Sequence, residues 1–92
     1  MIRRVELSAR AKKQLRKVPG HVADKLIAWV ASVEAKGLEE VRKLPGYHDE
    51  PLKGERQGQR SIRLSRAYRA IYVIAGQHVS FVSVEEVSKH DY

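Results

Sequence analysis

The sequence contains no cysteine, one tryptophan, one phenylalanine, one methionine and three prolines among its 92 residues. Without thiols there is no disulfide framework, no cysteine zinc site and no thiol nucleophile. No apolar run approaches the roughly 20 residues that a bilayer crossing needs. The opening MIRRVELSARAKK carries charge with no apolar stretch behind it, which does not read as a signal peptide. The expected compartment is therefore the cytoplasm, with no membrane partner. Acidic residues are also scarce: 11 Asp+Glu stand against 18 Lys+Arg, a net charge of +7. That charge density on so small a body points to a polyanionic partner, with solubility alone as the plain alternative. A chain of this length buries only ~60–65% of its unfolded surface. Residues 1–92 thus read as one domain, and a two-domain enzyme, a doubly wound nucleotide fold and a barrel are excluded. A hydrophobic content of 42% is that of an ordinary folded protein.

The cations are unevenly spread. Residues 1–18 carry seven Lys/Arg against Glu6, and residues 51–69 carry six (Lys53, Arg56, Arg60, Arg63, Arg66, Arg69) against Glu55. Two basic blocks flank an acidic-to-neutral middle. No repeats, low-complexity tracts or linkers interrupt them.

The pattern predicts a strand over Ile2–Leu7, then Ser8 as the N-cap of a helix over Ala9–Val18. Pro19-Gly20 breaks that helix. A second helix is predicted over His21–Lys36, where Val22, Leu26, Trp29, Val30 and Val33 form one apolar stripe, with Gly37 as its C-cap. Leu38–Leu44 reads as a short helix ended by Pro45-Gly46, and Tyr47–Lys53 as loop or extended chain. Strands are predicted over Ser61–Leu64, Tyr68–Ala75 and His78–Val87, with turns at Ser65–Ala67 and Gly76-Gln77. His78–Val87 is apolar on both faces in its middle (Phe81, Val82, Val84), as a covered central strand would be. The resulting order, β-α-α-β-β-β, is an α+β fold with a small antiparallel sheet and a helical hairpin packed on one face. The other face would be free to bind something.

Several polar residues fall where such a sheet would gather them. Glu50 precedes a strand and Lys53 follows it, Arg63 and Arg69 sit on adjacent strands near their shared turn, and His90, Asp91 and Tyr92 end the chain. A carboxylate, cations, an imidazole and a phenol suit phosphodiester chemistry. RNA cleavage through the 2′-OH needs a base, a cationic site for the charged phosphorane, an acid for the departing 5′-oxygen and in-line geometry. Glu50 could be the base, Arg69 and Lys53 the charge stabilisers and His90 the acid, with Tyr92 stacking on a base. No metal or cofactor is implied, since His48-x-Glu50 is a weak ligand spacing. The basic helix Arg10, Lys12, Lys13, Arg16 and Lys17, together with Arg56, Arg60, Arg63 and Arg66, are candidate RNA or ribosome contacts. Each has a plainer reading. Strand arginines are commonly solvated or paired with cross-strand acids, a basic helix face is commonly just an exposed one, and His90 and Tyr92 could be a frayed end and a last piece of packing.

The stretch EPLKGERQGQRSIRLSRAYRAIYVI, Glu50 to Ile74, resembles the core of the RelE/ParE superfamily of bacterial toxin–antitoxin toxins, and the closing KHDY is similar to the His/Tyr-bearing C-termini of its YoeB and HigB branches. The resemblance implies a toxin that cleaves mRNA on the 70S ribosome without a metal, is silenced by a small cognate antitoxin, and forms with it a repressor of its own operon. It places Glu50 at the acidic base, Arg69 at the phosphate-stabilising arginine, Lys53 at a lysine used in the HigB branch, and His90 and Tyr92 at the terminal acid and stacking residue. Asp91 departs from the pattern, since YoeB-like ends have His and Tyr adjacent; Asp91 could orient His90 or be inert. Two alternatives remain. A ParE-like inhibitor of DNA gyrase would lack the acid/base residues and the terminal His/Tyr, and a plain RNA-binding module would have lost Glu50, Arg69 or His90.

Overall fold

Ser8 joins three elements of the fold. Its hydroxyl oxygen accepts from the Ala11 N–H at 3.0 Å, while the hydroxyl donates to the Val82 carbonyl at 2.9 Å. Its own N–H donates to the Phe81 carbonyl at 3.0 Å. The structure, a computed structural model, describes residues 1–87. Strand β1 (Arg4–Leu7) ends at this cap, and α1 (Ala9–Leu15) begins from it. The expected extension of α1 to Val18 does not form. Pro19 disfavours helical geometry at the residue before it, and the chain closes with a tight Lys17 N–H to Gln14 carbonyl bond at 3.0 Å.

Helix α2 (Gly20–Lys36) buries Val22, Leu26, Trp29 and Val33, four of the five residues of the expected stripe, with Val30 partly buried beside them. Gly37 ends it with φ of 89°, and Leu38 of α3 (Leu38–Arg42) donates to the Ile2 carbonyl at 2.8 Å. The φ of 89° at Gly37 is one that L side chains rarely adopt, so this corner needs glycine for its dihedral.

The strands are β1, β2 (Glu50–Pro51), β3 (Arg60–Arg63), β4 (Tyr68–Ala75) and β5 (His78–Glu86). They form a single sheet in the order β1-β5-β4-β3-β2. The α+β class holds, with two differences from expectation. Residues 50–51 pair antiparallel with β3 as a short edge strand, and β1 runs parallel to β5 rather than antiparallel. The β4–β5 turn has Gly76 at φ 64°, the positive angle that a type II′ loop requires at its first position.

One irregularity decides which residues face where. The β4–β5 register passes from Ile71↔Ser83 to Tyr72↔Phe81, so Val82 is an extra residue, a β-bulge. This is why Phe81 and Val84 share the covered face despite their odd spacing. The apolar middle of β5 reflects the bulge as well as the strand's central place between β1 and β4. On the covered face Trp29 meets Tyr72 and Phe81 at ring-centroid distances of 5.4 and 5.3 Å, and those two rings meet at 5.6 Å. Each such pair adds about 0.5–1.5 kcal/mol beyond its burial. No helix among the described residues is long and apolar enough to cross a membrane.

Candidate phosphate-binding cleft

The opposite face of the sheet carries a cleft of about 140 Å³ at the β2-β3-β4 end. Strand pairing builds its floor. Glu50 stands across from Ser61, Ser61 across from Ile71, and Arg63 across from Arg69. Arg66 and Ser65 enter from the β3–β4 turn, Tyr68 and Val87 close one side, and His48 closes another. Glu50, Arg63, Arg66 and Arg69, separated by up to 19 positions in sequence, thus line one concave surface.

Two like charges directly opposite on neighbouring strands destabilise a sheet. Here the Arg63–Arg69 pair is offset by Glu85, which stands in register with Arg69 on the other side. Arg69 Nη2 approaches Glu85 Oε1 at 3.4 Å. Glu85 also accepts from the Ser83 hydroxyl at 2.7 Å and from both terminal nitrogens of Arg56, one at 3.1 Å. The Arg56 hydrogen bonds, then Ser83 and the charges of Arg56 and Arg69, outweigh burial and hold the Glu85 carboxyl down to about 2. Arg69 Nε is buried and has no hydrogen-bond partner among the described residues.

The segment that brings in Glu50 is anchored from beneath. The Asp49 carboxylate is fully buried on the covered side, accepting from Arg60 Nε at 2.6 Å and from the Tyr72 hydroxyl at 2.5 Å. Burial, reinforced by the bond to Asp49, pushes the Tyr72 phenol well above its ordinary range. His48 sits in the left-handed region at φ 45°, an unusual conformation for a non-glycine residue. With Asp49 turned inward, its neighbours His48 and Glu50 both line the cleft.

The other sequence candidates fall elsewhere. Lys53 is exposed at the head of the 54–56 turn and does not line the cleft. Arg56 and Arg60, expected as nucleic-acid contacts, commit their guanidinium groups to Glu85 and Asp49; Arg60 retains only 20% side-chain exposure. Arg10, Lys12, Lys13, Arg16 and Lys17 are exposed, but α1 packs on the covered layer of the sheet. The basic helix and the cleft therefore occupy opposite layers of the sheet. His90, Asp91 and Tyr92 lie outside the described residues. Among the described residues no group of three or more His, Asp or Glu gathers into a metal-binding cluster.

Sequence reading missed His48, Tyr68 and Glu85. For His48 there was no signal, because its place beside Glu50 depends on the inward turn of Asp49 and on its own left-handed backbone, neither of which a local pattern shows. For Glu85 there was none, because without the bulge simple alternation puts it on the same side as Phe81.

No family model matches the chain, and no curated protein does. Solved structures do. YafQ from E. coli strain BL21(DE3) superposes with a TM-score of 0.72 at 18% identity, covering 89% of this chain and 90% of that one. The YoeB/ParE toxin from Agrobacterium tumefaciens gives a TM-score of 0.67 at 15% identity over 92% and 99% of the two chains. A chain of the toxin–antitoxin complex RelBE2 from Mycobacterium tuberculosis gives 0.59 at 24% identity over 91% and 96%. The chain has the fold of the RelE/ParE toxins.

Proposed function

We propose that this protein is the toxin of a type II toxin–antitoxin pair, an endoribonuclease that cleaves mRNA on the 70S ribosome with the substrate's 2′-OH as nucleophile. One observation carries the reading: a single cleft brings the Glu50 carboxylate to the same surface as Arg63, Arg66 and Arg69. A carboxylate facing a cluster of guanidinium groups suits a reaction that removes a proton and accumulates negative charge on phosphorus.

In the proposed step Glu50 takes the 2′ proton as the 2′-oxygen attacks phosphorus. Arg69, with Arg63 and Arg66, binds the equatorial oxygens of the phosphorane, where charge develops most. The bond to the 5′-oxygen breaks, and that oxygen takes a proton, leaving a 2′,3′-cyclic phosphate and a 5′-hydroxyl. His90 is assigned as the proton donor and Tyr92 as the stacking residue. Lys53, at the exposed turn, would meet the flanking phosphates. Side chains are assigned to three of the requirements, the base, the cationic site and the acid, so the proposed route calls on no metal. The ribosome supplies the splayed substrate geometry that so small a body does not build for itself. The exposed α1 cations would hold ribosomal RNA, with an affinity that falls as salt rises. The RelBE2 structure is a toxin–antitoxin complex, which supports a small cognate antitoxin as the cytoplasmic partner here.

A reconstituted translation reaction tests the proposal. Message programmed on 70S ribosomes is expected to be cut in the presence of EDTA-treated protein, and naked message to stay intact. Full-length message on ribosomes at excess protein would refute it. A parallel arm with gyrase and supercoiled plasmid, expected to be unaffected, tests the gyrase alternative.

A further inference from the structure

Beside the cleft stands a carboxylate that the proposed reaction does not use. Glu85 collects the Ser83 hydroxyl at 2.7 Å, Arg56 through both terminal nitrogens, and Arg69 Nη2 at 3.4 Å. Its side chain is 22% exposed. Arg63 lies directly across from Arg69, and repulsion between the two would swing an untethered Arg69 away from the cleft. Glu85 is the counter-charge on the other flank. Through Arg56 it also ties the 54–56 turn, which follows Lys53, to the same point.

We infer that Glu85 is a positioning residue that clamps Arg69 against the cleft, so that the guanidinium meets a phosphate already oriented. The inference rests on reading the cleft as a phosphate site. The clamp would act before any chemistry, by sparing the ligand the work of ordering a free arginine. Glu85 remains ionised at any working pH, since its carboxyl is held at about 2.

Charge and positioning make opposite forecasts for Glu85→Gln. As a bare negative charge, Glu85 weakens anion binding, and neutralising it would tighten phosphate. As a clamp, it strengthens binding, and neutralising it loosens phosphate despite the added positive charge.

The full-length protein, labelled with ¹⁵N, gives an Nε–H resonance for Arg69 that is assigned by its loss in Arg69→Lys. In the wild type this resonance is expected to be sharp, displaced from those of exposed arginines, and shifted on titration with inorganic phosphate. In Glu85→Gln it is expected to collapse towards the exposed-arginine position, with phosphate affinity lower by about fivefold. An unmoved resonance, or tighter phosphate binding, would overturn the clamp. Should Glu85→Gln fail to fold, Ser83→Ala carries the test. It removes the 2.7 Å bond that orients the carboxylate but keeps the charge, and is expected to broaden the same resonance; no change there overturns the clamp too. A wild-type protein that ignores phosphate would refute the reading of the cleft, while the Arg69 resonance still judges the clamp.

Discussion

Replacing Asp49 by alanine removes the acceptor that both Arg60 and Tyr72 use. Its carboxylate has no exposure, and Tyr72 is itself fully buried. The Tyr72 hydroxyl would be left without its acceptor, a loss of ~1–3 kcal/mol. Removing one partner of a fully enclosed ion pair costs ~3–5 kcal/mol. Arg60 keeps 20% side-chain exposure, so water can take over part of its solvation and this share falls to ~1–2 kcal/mol. Together the expected loss is about 3 kcal/mol, a fall in Tm of roughly 12–24 °C for a domain of this size. Urea denaturation should show the midpoint falling with an unchanged m-value. Tyr72→Phe should cost less. The double variant should fall short of the sum of the single variants by about 1 kcal/mol, because the two side chains share one bond. Since Asp49 holds the segment that carries His48 and Glu50, Asp49→Ala should also lose cleavage beyond what instability explains at low temperature. A loss under 1 kcal/mol with additive single variants would refute the account of Asp49 as the anchor beneath the cleft.

Arg69→Ala and Glu50→Ala are each expected to lower mRNA cleavage by ~10²–10⁴, with circular dichroism unchanged; wild-type turnover in either would remove that residue from the site. Ser8→Ala removes an N-cap and the bond to the Val82 carbonyl, so a destabilisation of ~1–2 kcal/mol is expected by thermal denaturation. Glu85 has a folded-state pKa of about 2 against an unfolded value of 4.5. Its stabilising contribution is therefore complete above the unfolded value and is lost as pH falls through the folded one. Between pH 4.5 and 2 the wild type should lose stability more steeply than Glu85→Gln, and parallel curves would show that Glu85 gains nothing from its partners.

Much of the scaffold was legible because its signals are local. The Ser8 cap, the α2 stripe, the Gly37 stop and the Gly76-Gln77 turn each depend on residues within a few positions of one another. The early end of α1 was not legible: the break at Pro19-Gly20 put the stop at Val18, whereas the helix ends at Leu15 and tightens through the Lys17 N–H to Gln14 carbonyl bond. The parallel pairing of β1 with β5 was not legible, because it joins residues 74 positions apart in sequence and no local pattern carries strand direction. In the cleft, Glu50, Arg63, Arg66 and Arg69 could be named from residue type and turn position. The fates of Arg56 and Arg60 could not, since an arginine that meets a phosphate and one that meets a buried aspartate look alike in a string of letters.

The amino-acid order alone determined the element types, the cationic surplus and the apolar faces, since periodicity and turn chemistry are properties of neighbouring residues. Only the tertiary structure decided which charges are spoken for. The inward turn of Asp49 claimed Arg60 and placed His48 beside Glu50. The bulge at Val82 reversed the facing of all that follows it in β5, bringing Glu85 under Arg69. Both are long-range choices of packing: Asp49 is drawn in by Arg60 and Tyr72, and the extra residue at Val82 sets which side chains of β5 face Arg69.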